Sequence, residues 1–292
     1  MYEPNIDLDS IVAIDTHVHI EADDSGHGAL PTELTEAMDA YFKRSGSSPN
    51  LDGVADYYRQ LSMAAVVFTV DARTAMKTLP NSSEEIAEGA ARNNDVLIPF
   101  GSVDPLRGKD AIVHAQKLHS EYGVRGFKFH PSVQHFDPSA AEFDGLFSAI
   151  EELSVPIVVH TGQTGIGAGM PGGYGIELGL SNPMHLDVVA ARHPKLKVIM
   201  AHPSVPWQDE AISIASHKPN VWIDLSGWSP KYFEPKLVKA ARTYLKDKML
   251  FGSDFPAITP ERWMKDYKGL ELPDEVTSKI HLDNAAQLLG LR

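Results

Sequence analysis

The sequence predicts an α/β fold: a single (β/α)8 TIM barrel with a C-terminal helix, occupying residues 1–292 as one domain. Three observations predict it. Apolar, β-rich runs alternate with helical runs along the whole chain. Eight such apolar runs can be counted, the number that closes a barrel. The length of 292 residues suits one barrel, which typically needs ~250.

The strand candidates are IVAIDTH (11–17), AAVVFTV (64–70), VLIPFGS (96–102), VRGFKFH (124–130), PIVVH (156–160), LKVIMAH (196–202), NVWIDLS (220–226) and KMLFGSD (248–254). Nearly continuous apolar runs mark strands buried on both faces, as in parallel sheets. Among the helical runs, SSEEIAEGAARNN (82–94) opens with a serine cap and early glutamates, and AIVHAQKLHSEYG (111–123) ends on glycine. PSAAEFDGLFSAIEEL, NPMHLDVVAARH, WQDEAISIASH and EPKLVKAARTYL fill later gaps, and PDEVTSKIHLDNAAQLLGL closes the chain. Strict alternation implies right-handed crossovers. The alternative, a doubly wound open sheet, usually brings a Gly-rich nucleotide turn that is absent here.

Two segments interrupt the alternation. Residues 21–52 contain the polar, turn-rich YFKRSGSSPN, and residues 161–181 read TGQTGIGAGMPGGYGIELGLS with no helical period. Long loops after barrel strands usually carry function.

Composition excludes several classes of function. The chain has no cysteine, so disulfides, thiolate metal sites and a cysteine nucleophile are out, and any metal must be held by His and carboxylates. A formal charge of −13 suits no nucleic-acid partner. No apolar run reaches the ~20 residues of a membrane span. The opening MYEPNIDLDS lacks the basic and apolar regions of a signal peptide. A cytoplasmic protein acting on a small molecule is the expectation, with no membrane partner.

Polar residues gather where the predicted strands end: His17 and His19 at the first, Lys128 and His130 at the fourth, His160 at the fifth, His202 at the sixth and Asp254 at the eighth. In a barrel these ends meet at one face, where active sites are found. In His17-Val18-His19 both imidazoles share one side of a strand while Val18 faces outward. His nitrogen and carboxylate oxygen suit zinc, and also Mn, Fe or Co. Such an ion lowers the pKa of its water from about 15.7 to about 7. Taken one at a time, His160 or Asp254 has an ordinary explanation as a loop hydrogen-bond partner or a cap. Their convergence does not. His27, His114, His119, His193, His217 and His281 fall in loop or helix patterns and are expected to be packing or surface residues.

At these residues the sequence resembles the amidohydrolase superfamily, closest to the subgroup that includes aminocarboxymuconate-semialdehyde decarboxylase and γ-resorcylate decarboxylase. The matching pieces are IDTHVHI, GFKFHP, PIVVHTG, IMAHPS, LFGSDFP and the closing NAAQLLGL, which together span nearly the whole chain. The resemblance implies one divalent metal, zinc first and manganese second, held by His17, His19, His160 and Asp254. Asp254 would double as the proton acceptor, and His202 would polarise substrate or move a proton. In two-metal relatives a carboxylated lysine, here Lys128, bridges the ions and His202 becomes a ligand; the Lys-X-His-Pro form resembles the one-metal subgroup more. His130 and Lys128 are candidate substrate contacts. Dimers are common in the family, so a homodimer is compatible with the resemblance.

The implied chemistry is hydrolysis of an ester, lactone or β-keto C–C bond from aromatic catabolism, or non-oxidative decarboxylation of an aromatic or muconate-type acid. The runs VLIPFGSVDP, HTGQTGIGAG, HPSVPWQDEAISIA and DLSGWSPKYF resemble hydrolases of 4-hydroxyphenyl-β-ketoacyl-CoA. Phosphates of CoA need cations, for which Arg73, Lys77, Lys43 and Arg44 are candidates. Tyr174, Ser226 and Trp228 are expected to line the substrate site, Trp228 by stacking on a planar ring. Gly162 and Gly165 could offer backbone N–H groups to an anion. A metal-dependent deoxyribonuclease would also start with His-X-His but would need a basic surface and a fourth-strand glutamate. A non-catalytic binding barrel leaves the clustered His and Asp unexplained.

Overall fold

The computed structural model describes residues 1–42 and 49–292. All eight predicted strands are present: β1 (Ala13–His19), β2 (Met63–Phe68), β3 (Leu97–Pro99), β4 (Phe127–Phe129), β5 (Ile157–His160), β6 (Val198–Ala201), β7 (Val221–Asp224) and β8 (Met249–Leu250). Every neighbouring pair runs parallel, in the orders β1-β2-β3 and β4-β5-β6-β7-β8. Two seams join these sheets into a barrel. At one, Gly101 bridges Phe127, with Arg125 N donating to Pro99 O and Lys128 N to Gly101 O, both at 2.8 Å. At the other, Val18 bridges Phe255, and His19 N donates to Phe255 O at 2.8 Å. The chain is therefore a (β/α)8 barrel, and the open sheet is excluded.

Alternation along the strands sorts side chains into two layers. Ile14, Val66, Ile98, Val158, Ile199 and Leu250 point inward and form one buried cluster with Ala285, Ala286, Leu288 and Leu289 of the closing segment. The C-terminal helix (Asn284–Leu288) thus packs against the inner layer of the barrel. Ala13, Ala65, Phe127, Phe129, Val159 and Met200 point outward to the helices. In β1 the register slips between Asp15 and Val18. This bulge lets Asp15 face outward, where Tyr58 Oη donates to it at 2.7 Å, while His17 and His19 both face inward.

β2, β3, β4, β6, β7 and β8 stop short of their predicted ends, where the chain leaves the ladder, whereas β1 and β5 run through His19 and His160. β6 stops at Ala201, and His202 turns away with φ 70°. Helix signals read locally hold: Ser82 caps Ser83–Arg92 by accepting from Glu85 N, and Gly123 with φ 79° ends the run that begins at Lys109. Several helices were missed, among them Leu51–Gln60 and Pro260–Tyr267. Inside the segment read as turn-rich, Thr32–Phe42 is a helix. Its apolar residues Leu34, Ala37, Met38 and Tyr41 follow helical spacing, a signal that the flanking polar turn obscured.

Candidate metal centre

β1, β5 and β6 and the turn after β8 carry the site. His17 Nε2, His19 Nε2 and Asp254 Oδ1 form a triangle with all three edges 3.3 Å long. A tetrahedral ion with bonds of 2.0–2.1 Å sets its ligand atoms about 3.3–3.4 Å apart, so these three donors fit one ion as they stand. His202 also offers a ring nitrogen, within 4.8 Å of donor atoms of His17 and Asp254. His160 stands beside them: its Nδ1 lies 3.0 Å from His202 Nε2, and its ring stacks on His130 with centroids 3.7 Å apart. His160 Nε2 is buried and has no hydrogen-bond partner, an unsatisfied atom that a metal would satisfy.

The backbone holds Asp254 against β1 through Asp254 N donating to His17 O at 3.0 Å. Both Asp254 and His202 sit at φ 70°, a left-handed conformation that Asp and His tolerate better than most residues. Gly227, with φ 73°, comes so close to His202 that a Cβ there would lie 2.5 Å from His202 Nδ1.

Behind the donors lies a support the sequence reading missed. Asp224, at the end of β7 and fully buried, places Oδ2 at 2.7 Å from His17 Nδ1. The carboxylate fixes the proton on Nδ1 and turns the lone pair of Nε2 toward the triangle. Ser226 Oγ joins it, 3.0 Å from His17 Nδ1 and 2.8 Å from His202 Nδ1. Asp224 is an inward-facing carboxylate at a strand end, so the rule that selected Asp254 would have found it.

Burial holds His17, His130 and His160 well below the usual imidazole range, and His202 below it. Neutral imidazole is the form that ligates metal. Burial alone would raise Asp254, but the hydrogen bond with His19 and the surrounding histidines hold it below the ordinary carboxylate range, so it stays ionised.

Lys128 is a correction. It is fully buried and is not among the residues lining the cavity; its Nζ lies 2.8 Å from His17 Nε2, the nitrogen of the donor triangle, and 4.6 Å above the Phe68 ring. It sits one pleat deeper in β4 than His130, at the donor atoms and not at the cavity wall. Burial lowers its pKa to about 8. His130 does reach the cavity, and its Nδ1 is buried without a partner.

The cavity in front of the donors has a volume of about 470 Å³ and is bounded by His19, His130, His160, His202 and Asp254 at its base. That is within the range of small-molecule sites. Trp228 forms part of its wall, as do Met38 and Tyr41 of the helix Thr32–Phe42. Tyr174 does not: its hydroxyl bonds Glu33, which ties the glycine-rich loop to that helix outside the cavity. Ser226 also leaves the wall, being fully buried under the imidazoles. Gly162 N is spent on Ser181 O at 2.9 Å, so it offers nothing to an anion, whereas Gly165 lines the cavity. Arg73 is engaged with Asp71 at 2.8 Å, and Lys77 lies away from the cavity. Lys43 and Arg44 fall outside the described residues.

The comparisons now bear on this geometry. The sequence profile of the amidohydrolase family matches residues 14–291. The chain belongs to the amidohydrolase family. It is therefore an enzyme of a metal-dependent family whose members act on small molecules. No curated protein matches the sequence. Among solved structures it is similar to an uncharacterised TIM-barrel protein from Bordetella bronchiseptica, with TM-score 0.78, 22% identity, and 95% of this chain and 98% of that one covered. It is similar to a dihydroxybenzoic acid decarboxylase from Polaromonas sp. JS666 with bound manganese and the inhibitor 2-nitroresorcinol (TM-score 0.68, 17% identity, 96% and 97% covered). A probable 2-pyrone-4,6-dicarboxylic acid hydrolase from Acinetobacter baumannii is also similar (TM-score 0.61, 15% identity, 96% and 100% covered). At these identities the likeness is one of fold. Among the described residues, no helix is long and apolar enough to cross a membrane.

Proposed function

We propose that this amidohydrolase hydrolyses a carbonyl compound, an ester, lactone or β-keto C–C bond, with one divalent ion held by His17, His19, His160 and Asp254. Zinc is the first expectation and manganese the second. The observation that carries the reading is the 3.3 Å triangle of His17, His19 and Asp254 donors, with the partnerless His160 Nε2 on a residue that lines the same cavity. Bound there, the ion supplies Lewis acidity and makes water acidic enough to lose a proton near neutral pH.

The chain's own residues do the rest. Asp254, ionised and partly exposed to the cavity, accepts the proton that water loses. His202, braced by Ser226 Oγ at 2.8 Å, relays the proton: its neutral ring accepts the one that Asp254 has taken from water and, as imidazolium, gives it to the leaving atom. His130 Nδ1 is placed to hydrogen-bond the substrate near the carbonyl. The stacked rings of His130 and His160 and the buried base of the cavity keep bulk water away from these groups.

A second reading, decarboxylation of an aromatic acid, is favoured by the structural similarity to a dihydroxybenzoic acid decarboxylase. One experiment separates them. The zinc- or manganese-loaded enzyme is incubated in 18O-water with aryl esters, lactones, aryl β-diketones and hydroxybenzoates. Label appearing in a carboxylate product supports hydrolysis. Release of CO2 without label in the aromatic product supports decarboxylation and sinks the hydrolase reading.

A further inference from the structure

The donors of the triangle come from two segments that the barrel brings edge to edge, and one buried carboxylate ties those segments together. Asp15 Oδ1 accepts from His17 N at 3.1 Å and from Ser253 N at 2.9 Å. His17 O in turn accepts from Asp254 N at 3.0 Å. These three hydrogen bonds close a ring between β1 and the turn after β8, and both His17 and Asp254 are part of it. The other carboxylate oxygen, Asp15 Oδ2, accepts from Tyr58 Oη at 2.7 Å, on the helix Leu51–Gln60. Asp15 and Tyr58 are both fully buried, and neither lines the cavity. The ring sits where β1 bulges, between Asp15 and Val18, a place where the regular ladder is interrupted. The two segments have little slack: a Cβ added at Gly252 would lie 3.0 Å from His17 Cβ.

A single oxygen shared by the two segments sets their separation. A donor set with edges of 3.3 Å has to be held to within about 0.5 Å to stay fit for one ion. Loss of the Asp15 carboxylate removes two of the three bonds of the ring and leaves two N–H groups without this acceptor. We propose that Asp15 is a positioning residue of the metal centre: braced by Tyr58, its carboxylate holds the His17 and Asp254 donors at the spacing that one ion requires. This role rests on the proposed metal site and belongs to a residue outside both the donor set and the cavity wall. The site needs from Asp15 an acceptor shared by two N–H groups. The amide oxygen of asparagine also supplies one, and alanine supplies none.

The test compares Asp15→Ala, Asp15→Asn, Tyr58→Phe and a destabilising control, Leu237→Ala, at a buried position on the helix Pro235–Arg242. Zinc affinity is read by chelator competition, coordination by the visible absorption of the cobalt-loaded proteins, and stability by urea unfolding. Asp15→Ala is expected to bind zinc about tenfold more weakly or worse, with an altered cobalt spectrum. Asp15→Asn is expected to stay within about twofold of wild type and to keep its spectrum. Tyr58→Phe keeps the packing but frees the carboxylate, and is expected to lose about threefold; it carries the test if Asp15→Ala does not fold. Wild-type affinity and spectrum in Asp15→Ala, or in Tyr58→Phe where only that variant folds, would overturn the proposal. Equal losses in Asp15→Asn and Asp15→Ala would overturn it by showing that the charge, and not the shared acceptor, is what the site uses. An equal loss in Leu237→Ala would overturn it by assigning the effect to general stability. A wild-type protein that takes up neither zinc nor cobalt would remove the metal centre itself, and this proposal with it.

Discussion

His17 Nδ1 and Asp224 Oδ2 meet at 2.7 Å with both side chains wholly buried. The pair is 207 residues apart in sequence and joins the first strand to the seventh across the barrel interior. Its effect is to fix one tautomer of His17, which leaves Nε2 as the lone-pair atom at the donor triangle, with Lys128 Nζ 2.8 Å from it. Removing a partner of this kind typically costs 10–100-fold in metal affinity. Asp224→Asn keeps an acceptor and should fall near the lower end, about tenfold. Asp224→Ala leaves His17 Nδ1 unpaired and should fall near the upper end. Chelator-competition titration with zinc would measure both, with circular dichroism confirming that the barrel has formed. Unchanged affinity in both variants would mean that the pair only packs.

Metal content tests the donor set itself. Purified protein is expected to hold about one transition metal per chain by plasma mass spectrometry, and His19→Ala and Asp254→Ala are expected to lose most of it. His160→Gln should also lose metal, since the partnerless Nε2 has no other employment among the described residues. His130→Gln should keep the metal and raise KM, because its ring lines the cavity but stands outside the triangle. Two ions per chain would contradict the one-ion reading and bring Lys128 and His202 into the ligand set.

The barrel was legible because eight apolar runs alternate with helical ones, and a one-dimensional period is enough to report that. The donors were legible because strand ends converge in a barrel wherever the sequence puts them. What could not be read was depth and direction. Lys128 and His130 share a strand face, yet one pleat of depth puts the first against His17 Nε2 and the second at the cavity wall. Tyr174 sits in a loop whose course no period describes, and its hydroxyl found Glu33 instead of the cavity. Thr32–Phe42 was missed although its apolar spacing is helical, because the polar run after it dominated the segment. Asp224 was legible but overlooked: it is a carboxylate at a strand end like Asp254, and the closed barrel sets it against the far nitrogen of the candidate ligand His17.

Gly227 is a position where a single methyl group should be costly. Its φ of 73° is strained for any L side chain, and an added Cβ would come 2.5 Å from His202 Nδ1 and 2.9 Å from its Cε1. His202 cannot retreat freely, since Ser226 and His160 hold it on two sides. Gly227→Ala is expected to destabilise the protein by about 1–3 kcal/mol. It should also lower kcat by an order of magnitude or more by displacing the imidazole. Denaturant unfolding and steady-state kinetics would check the two effects separately, and metal content should hold because the triangle is untouched. Wild-type kcat in this variant would remove His202 from the proton-transfer role.

His281 gives the protein a pH-dependent stability outside the site. It lies among Phe251, Trp263 and Tyr267, with the Tyr267 ring centroid 4.6 Å away, and its Nε2 is buried without a partner. Burial lowers its pKa to about 4 from the ordinary 6.5. The unfolded chain therefore takes up a proton between pH 6.5 and 4 that the folded chain does not. Stability contributed by the neutral side chain is complete above the unfolded value and is lost as pH falls through this window, by on the order of 2 kcal/mol between pH 7 and 5. His281→Leu keeps the apolar packing and removes the titration. Urea unfolding of both proteins at pH 7 and pH 5, with chelator present to exclude metal linkage, should show a smaller acid loss in the variant. Equal losses would show that His281 stays solvated enough to protonate in the folded barrel.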